Sequence, residues 1–350
     1  SFINKRIKFI MAYTTINKSS LHMNTKLYTG TGSSQNITGV GFQPDWTWVK
    51  NRSDTYGHNL VNSVTNTLMF SNANAPEEAI GNTVTSFDSD GFTVGTNAGV
   101  NANGQNLVAW NWLAANGTTS NTAGSINSTV SVNTTAGFSI VTYTGNGSQP
   151  STVGHGLGVT PQVVLVKPRS DAQSWCMYHE SIGNTKVSYL DSSSASGSSV
   201  VWNNTSPTSS SFTVNDNQVN SNTNTYIAYC FADVQGYSKF GSYIGNGSAD
   251  GSFIYTGFKP SFVMFKNTSS ALFWQIHDSA RDPSNEVLKR LAPNSSDAEG
   301  SGSIPIDFLS NGIKLRTTAT TWNESGSNFI YMAFAENPFV TSTGVPATAR

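Results

Sequence analysis

Apolar and polar positions alternate along most of this chain, and three stretches set the pattern: Leu107–Ala115 (LVAWNWLAA), Tyr226–Val234 (YIAYCFADV) and Phe329–Asn337 (FIYMAFAEN). Every second residue is large: Val108, Trp110 and Trp112, then Ile227, Tyr229 and Phe231, then Ile330, Met332 and Phe334. The positions between them are mostly small, as in Ala109 and Asn111, Ala228 and Cys230, or Ala333 and Ala335. Period-two alternation marks a strand whose two faces meet different surroundings. The large face is expected to fill the core between two packed sheets, and the small face to allow close packing or a crowded edge.

The three stretches close three copies of one longer pattern. Each copy opens on a turn, at Tyr28–Gly32, Tyr143–Gly147 and Tyr243–Gly247. A glycine–aliphatic–x–proline segment follows and runs into a strand ending in lysine: Gly41–Lys50, Gly158–Lys167 and Gly257–Lys266. Pro44, Pro161 and Pro260 sit where a strand begins and no ladder bond is lost. A second shared strand ends at Asn62–Ser63, Glu180–Ser181 and Asp278–Ser279, an alignment that makes His179 and His277 equivalent. A third, shorter strand is expected at Gly91–Val94, Ser211–Val214 and Gly312–Leu315. Only Asn285–Leu291 (NEVLKRL) has helical spacing.

A period near 100 residues is too long for a solenoid unit and suits a small β domain. The expected fold is therefore all-β, three tandem β-sandwich (jelly-roll-like) repeats at 27–116, 135–236 and 237–338. An N-terminal extension, 1–26, precedes them. A Ser/Thr/Asn linker, 117–134, separates the first two, and a tail, 339–350, follows the third. The short join Gly236–Ser242 is expected to couple the second and third stiffly. Ser1–Ile10 reads as upstream translated sequence or a cloning remnant, with Met11 as the natural start; it has no apolar core or A-x-A site of a secretory signal.

Composition narrows the function classes. Of 350 residues only 11% are charged, so the polar surface is built from Asn, Ser and Thr. The 19 Phe, 12 Tyr and 8 Trp supply core enough to exclude disorder. A net charge of −1 with scattered Lys and Arg speaks against nucleic-acid binding. No apolar run approaches the roughly 20 residues that span a bilayer.

Candidate chemistry is sparse. The histidines lack HxH, HxxxH or CxxC partners, so neither a metal nor another cofactor is expected. Cys176 and Cys230 both fall in the second copy, and a buried small pair is favoured over a disulfide. Asp278–Arg281–Asp282, near His277 and Trp274, is the best candidate for the two carboxylates of a glycan hydrolase. The competing reading, which we favour, is that Arg281 ties down a turn. The glycine pairs lack the lysine and helix of a phosphate loop and read as turns.

Several long phrases carry a resemblance: MAYTTINKSS (Met11–Ser20), TAGFSIVTYTGNG (Thr135–Gly147), VGHGLGVTPQVVLVK (Val153–Lys167), YCFADVQGYSKFGSYIGNGSADGSFIYTGF (Tyr229–Phe258) and MAFAENPF (Met332–Phe339). They resemble a repeat domain of tailed bacteriophages of marine bacteria and cyanobacteria, found in tail-fibre and other virion structural proteins. The resemblance implies a virion location, assembly in the host bacterial cytoplasm, other tail proteins as partners, and oligomers such as trimers; it transfers no catalytic residues. The expected function is that of a non-enzymatic tail-fibre or appendage component recognising a host surface glycan. A tailspike-type glycan hydrolase and a bacterial surface adhesin are the alternatives. Trp175, Tyr178, Trp202, Trp274 and Trp322 are the expected glycan platforms, with core positions as the rival assignment.

Overall fold

A computed structural model describes residues 14–302 and 304–338. The chain is all-β and built from antiparallel sheets. A first large sheet runs in the order Met23–Thr29, Asn106–Trp112, Trp46–Asn51, Asn59–Asn62, Thr67–Phe70, Glu78–Ala79. A second has Phe138–Thr144, Thr225–Phe231, Val163–Pro168 and Cys176–His179 at its centre, and a third is Ser238–Ile244, Asn328–Ala335, Pro260–Asn267, Gln275–Asp278. The order of these four strands is the same in all three.

Each large sheet carries a small one on one face. The short strands Gly91–Val94, Ser211–Val214 and Gly312–Leu315 pair with Gln35–Thr38, Ser151–Gly154 and Phe253–Tyr255. Between each large sheet and its small partner lies an apolar cluster. Ala109 lies in the first, Ala228 and Cys230 in the second, and Ala333 and Ala335 in the third. The small faces of the closing strands therefore point into the sheet-on-sheet cores.

The large faces go elsewhere, which corrects the sequence expectation. Trp110 and Trp112, Tyr229 and Phe231, and Met332 and Phe334 meet in a fourth cluster shared by all three large sheets. Trp46 stacks on Tyr229 of the second sheet at 4.2 Å, and Trp112 meets Phe334 of the third edge-on at 5.9 Å. Three sheets converging on one space need bulkier side chains to fill it than two sheets packed face to face. The space left unfilled there is an apolar void of only about 20 Å³.

The shared turns are locked from behind. Tyr28, Tyr143 and Tyr243 donate their hydroxyls to the carbonyls of Val100, Val219 and Trp322. The next residues, Asn101, Asn220 and Asn323, end four-residue helices and are fully buried. Each accepts a backbone N–H from the turn, from Thr31, Asn146 and Asn246 respectively. The turn must come close: a Cβ on Gly30, Gly145 or Gly245 would stand 2.2 Å from a backbone oxygen.

Other expectations need correcting. The segment 117–134 is not a free linker: Thr119–Asn121 and Ser128–Asn133 extend the second sheet, and Val130 is buried. The expected extension 1–26 overlaps the first strand, and Ile16 already lies in the shared core. Val287 and Leu291 form isolated bridges to Ile306 and Ile276, so Asn285–Leu291 is no helix. Asn62, His179 and Asp278 pair with Trp46, Val163 and Phe262, so His179 matches Asp278 and not His277. The proposed start at Met11 and the tail 339–350 lie outside the described residues.

Candidate functional site

Three seams join the thirds of the chain, and the same contacts recur at each. Lys50, Lys167 and Lys266 end the proline-led strands, and all three are fully buried. Each ammonium donates within its own loop and across a seam. Lys50 reaches Ser296 O at 3.1 Å, Lys167 reaches Asn74 O at 3.1 Å, and Lys266 reaches Ser193 O at 2.7 Å. Burial draws each lysine down to about 8, which leaves it charged at neutral pH. Three residues beyond each acceptor, a backbone N–H crosses back: Glu299 to Arg52 O, Glu77 to Arg169 O, Ser196 to Thr268 O.

The residues eight beyond Lys167 and Lys266 add a third contact. Trp175 Nε1 donates to Phe70 O and Trp274 Nε1 to Tyr189 O, both at 2.9 Å. His58 takes this place in the first copy but bonds within it, accepting from Trp48 Nε1 at 2.9 Å, and its Nε2 is buried without a partner among the described residues. The strand-end residues close the ring inside. Asn62 donates to the Tyr229 hydroxyl, His179 Nε2 to Tyr331 O, and Asp278 accepts from Trp110 Nε1. First meets second, second meets third, and third meets first.

The acid cluster belongs to this system. Asp278 and Arg281 form a fully buried ion pair, Arg281 Nη1 reaches Glu299 at 3.1 Å, and Glu299 pairs with Arg52 at 2.8 Å. Burial works against the Glu299 carboxylate, but the two arginines hold its carboxyl below the usual range. Asp282 accepts the N–H groups of Leu288 and Lys289. Both Asp278 oxygens are occupied, by Arg281 on one side and by Arg281 and Trp110 on the other. This is the geometry of a tied-down turn, in which Asp278 is fully buried and Asp282 is half-buried and holds the backbone of Leu288 and Lys289.

The five expected glycan platforms are core residues. Trp175, Tyr178, Trp202, Trp274 and Trp322 are each 3% exposed or less, so none offers a face to a sugar as folded. Trp322 donates to His277 Nε2 at 3.0 Å, and Tyr178 packs edge-on against Trp202. Tyr178 lies on a strand, Trp175 and Trp274 donate across seams, Trp202 sits in a turn and Trp322 in a four-residue helix, all facing inward. Burial holds His58, His179 and His277 well below the ordinary imidazole range, His179 at about 4 and His277 at about 3. Cys176 and Cys230 are free, buried thiols whose pKa burial raises. Among the described residues no group of three or more His, Cys, Asp or Glu could hold a metal.

One seam departs from the other two. Arg52–Glu299 and Arg169–Glu77 each bridge a seam at 2.8 Å. At the seam between second and third, Thr268 and Ser196 stand at the same places. A pocket of about 450 Å³ opens there, lined by Ser181, Lys186, Ser196, Ser242, Thr268, Ser269 and Asn328 among others. Beside Arg169 a separate hollow of about 230 Å³ is lined without any residue of the first copy, Ser120 and Thr129 of the added strands among its walls. The sequence signal was the loss of a basic residue two positions after the lysine, in KNT (266–268) against KNR (50–52) and KPR (167–169).

The family described as Domain of unknown function (DUF7483) matches residues 18–338. The chain belongs to the DUF7483 family. The match runs unbroken through all three copies of the pattern, as the shared core and closed seams do. No curated protein and no solved structure matches.

Proposed function

We propose that this DUF7483 chain is three tandem β-sandwich repeats closed into a ring, serving as a non-enzymatic structural component of a phage virion. Its place is a tail fibre or appendage, with other tail proteins and further copies of itself as partners, and a host surface glycan as the molecule it recognises. The observation that carries the reading is where the chemically able side chains are spent. The buried lysines, the Asp278–Arg281 pair and three of the histidines hold seams or cores together. The resemblance of its long phrases to virion repeat domains supplies the location. Low charge suits a particle in seawater, where salt screens exposed ion pairs. Repeated rigid units would give weak glycan contacts avidity.

Two measurements test it. Mass spectrometry of purified particles of a phage encoding this chain should find it at structural stoichiometry; its absence from them overturns the location. Incubation of the purified chain with host polysaccharide should release no reducing sugar, and release would overturn the non-enzymatic reading.

A further inference from the structure

We propose that the pocket at the seam between the second and third copies is a saccharide-binding site, taking the one or two terminal rings of a glycan. This deepens the glycan-recognition part of the function proposed above and rests on it. Two seams are spanned by an arginine–glutamate pair, and the third has Thr268 and Ser196 in the same backbone frame, with Ser196 N still bonded to Thr268 O at 3.0 Å. Two long side chains have been replaced by two hydroxyls while the scaffold around them is kept.

The space so vacated falls within the range of small-molecule sites, roughly 300–1,000 Å³. Its polar groups suit a polyhydroxylated ligand. Thr268 and Ser269 are bonded to the backbone of Asn328, and Ser196 to Ser188. The side chains of Ser181, Ser242, Asn328 and Lys186 line the pocket without a protein hydrogen bond among the described residues. Hydroxyls and an amide both donate and accept, as sugar hydroxyls do. Among the described residues no carboxylate lines the pocket and Lys186 is its single cation, which gives a sugar acid one extra partner. Ile182, half-buried, also lines the pocket and offers an apolar surface to the C–H face of a ring.

The other two seams supply the test. The double variant Thr268→Arg with Ser196→Glu rebuilds there the ion pair found at the other seams, so it fills the pocket with a contact this fold already accommodates. Saturation-transfer NMR with the full chain and glucose, N-acetylglucosamine or glucuronate as probes should show contact, with at least one Kd near ~1 mM. The double variant should lose about tenfold or more in affinity, while its Tm is unchanged or higher. Lys186→Gln should weaken glucuronate selectively. No binding of any probe by the wild-type chain, or equal binding by the double variant with its Tm intact, overturns the site. Either result leaves the virion location to be decided by the particle measurement, so the two readings fail separately.

Discussion

Lys50, Lys167 and Lys266 are the residues whose burial is hardest to explain without the seams, because a buried ammonium must be fully hydrogen-bonded. Each satisfies a carbonyl that the neighbouring copy presents, so Lys167→Met should remove the ammonium donor from Asn74 O and from the loop carbonyls of Pro168 and Asp171, the last keeping the Gln173 N–H. Hydrogen bonds to charged groups support an expected loss of about 3 kcal/mol in denaturant titration. Surface lysines such as Lys186 should change stability by less than about 0.5 kcal/mol. Gly145→Ala should cost about as much as the lysine change, because its Cβ would strike Ser221 O. The histidines set the acid limit. In the unfolded chain they bind protons near pH 6.5, but folded His179 does so only near 4 and His277 near 3, and His58 is also held low. The unfolded state therefore holds more protons in this window. Stability should be full well above pH 6.5 and fall as pH drops, His179 and His277 together contributing at most about 3 kcal/mol per pH unit near pH 5 and His58 acting in the same direction. Asp191 and Asp233, whose carboxyls burial raises, act in the opposite sense nearer pH 4. Urea midpoints across this range check the slope, and a flat profile would show the imidazoles to be solvated.

Strands were the most legible elements. Gly91–Val94, Ser211–Val214 and Gly312–Leu315 stand where the repeat alignment puts them, and the closing strands begin one residue early. The four-residue helices at Ala98–Asn101, Asn217–Asn220 and Thr320–Asn323 are too short for a helical period to register. The stretch 117–134 misled because its Ser and Thr content looks like a linker, although Val130 and Val132 keep the alternation of a strand. Amide exchange should decide between the two. The N–H groups of Ser128–Asn133 paired with Phe138–Thr144 should be protected for hours, where a linker would exchange within seconds. The assignment of faces was not legible at all, since alternation separates two faces without saying which one meets a third sheet. The same limit hid the seam pocket. Its lining comes from both copies, so the missing basic residue in KNT marks the place without showing that a pocket opens there.

For the whole molecule, the central claim is that three copies of one pattern form a single cooperative body. Six of the eight tryptophans lie in the shared cluster, with contacts between copies such as Trp46–Tyr229, Trp110–Phe262 and Phe231–Phe334, so an isolated copy would expose that face to water. Removing one copy should therefore unfold the remainder. The unbroken family match from 18 to 338 fits a unit of this size. Differential scanning calorimetry of the full chain tests the claim most directly. A single transition is expected, with an enthalpy of about 220 kcal/mol for some 320 residues and calorimetric and van't Hoff values in agreement. Two or three resolved transitions of roughly 70 kcal/mol each would contradict it, because they would mean that each copy holds its own core and the seams are incidental.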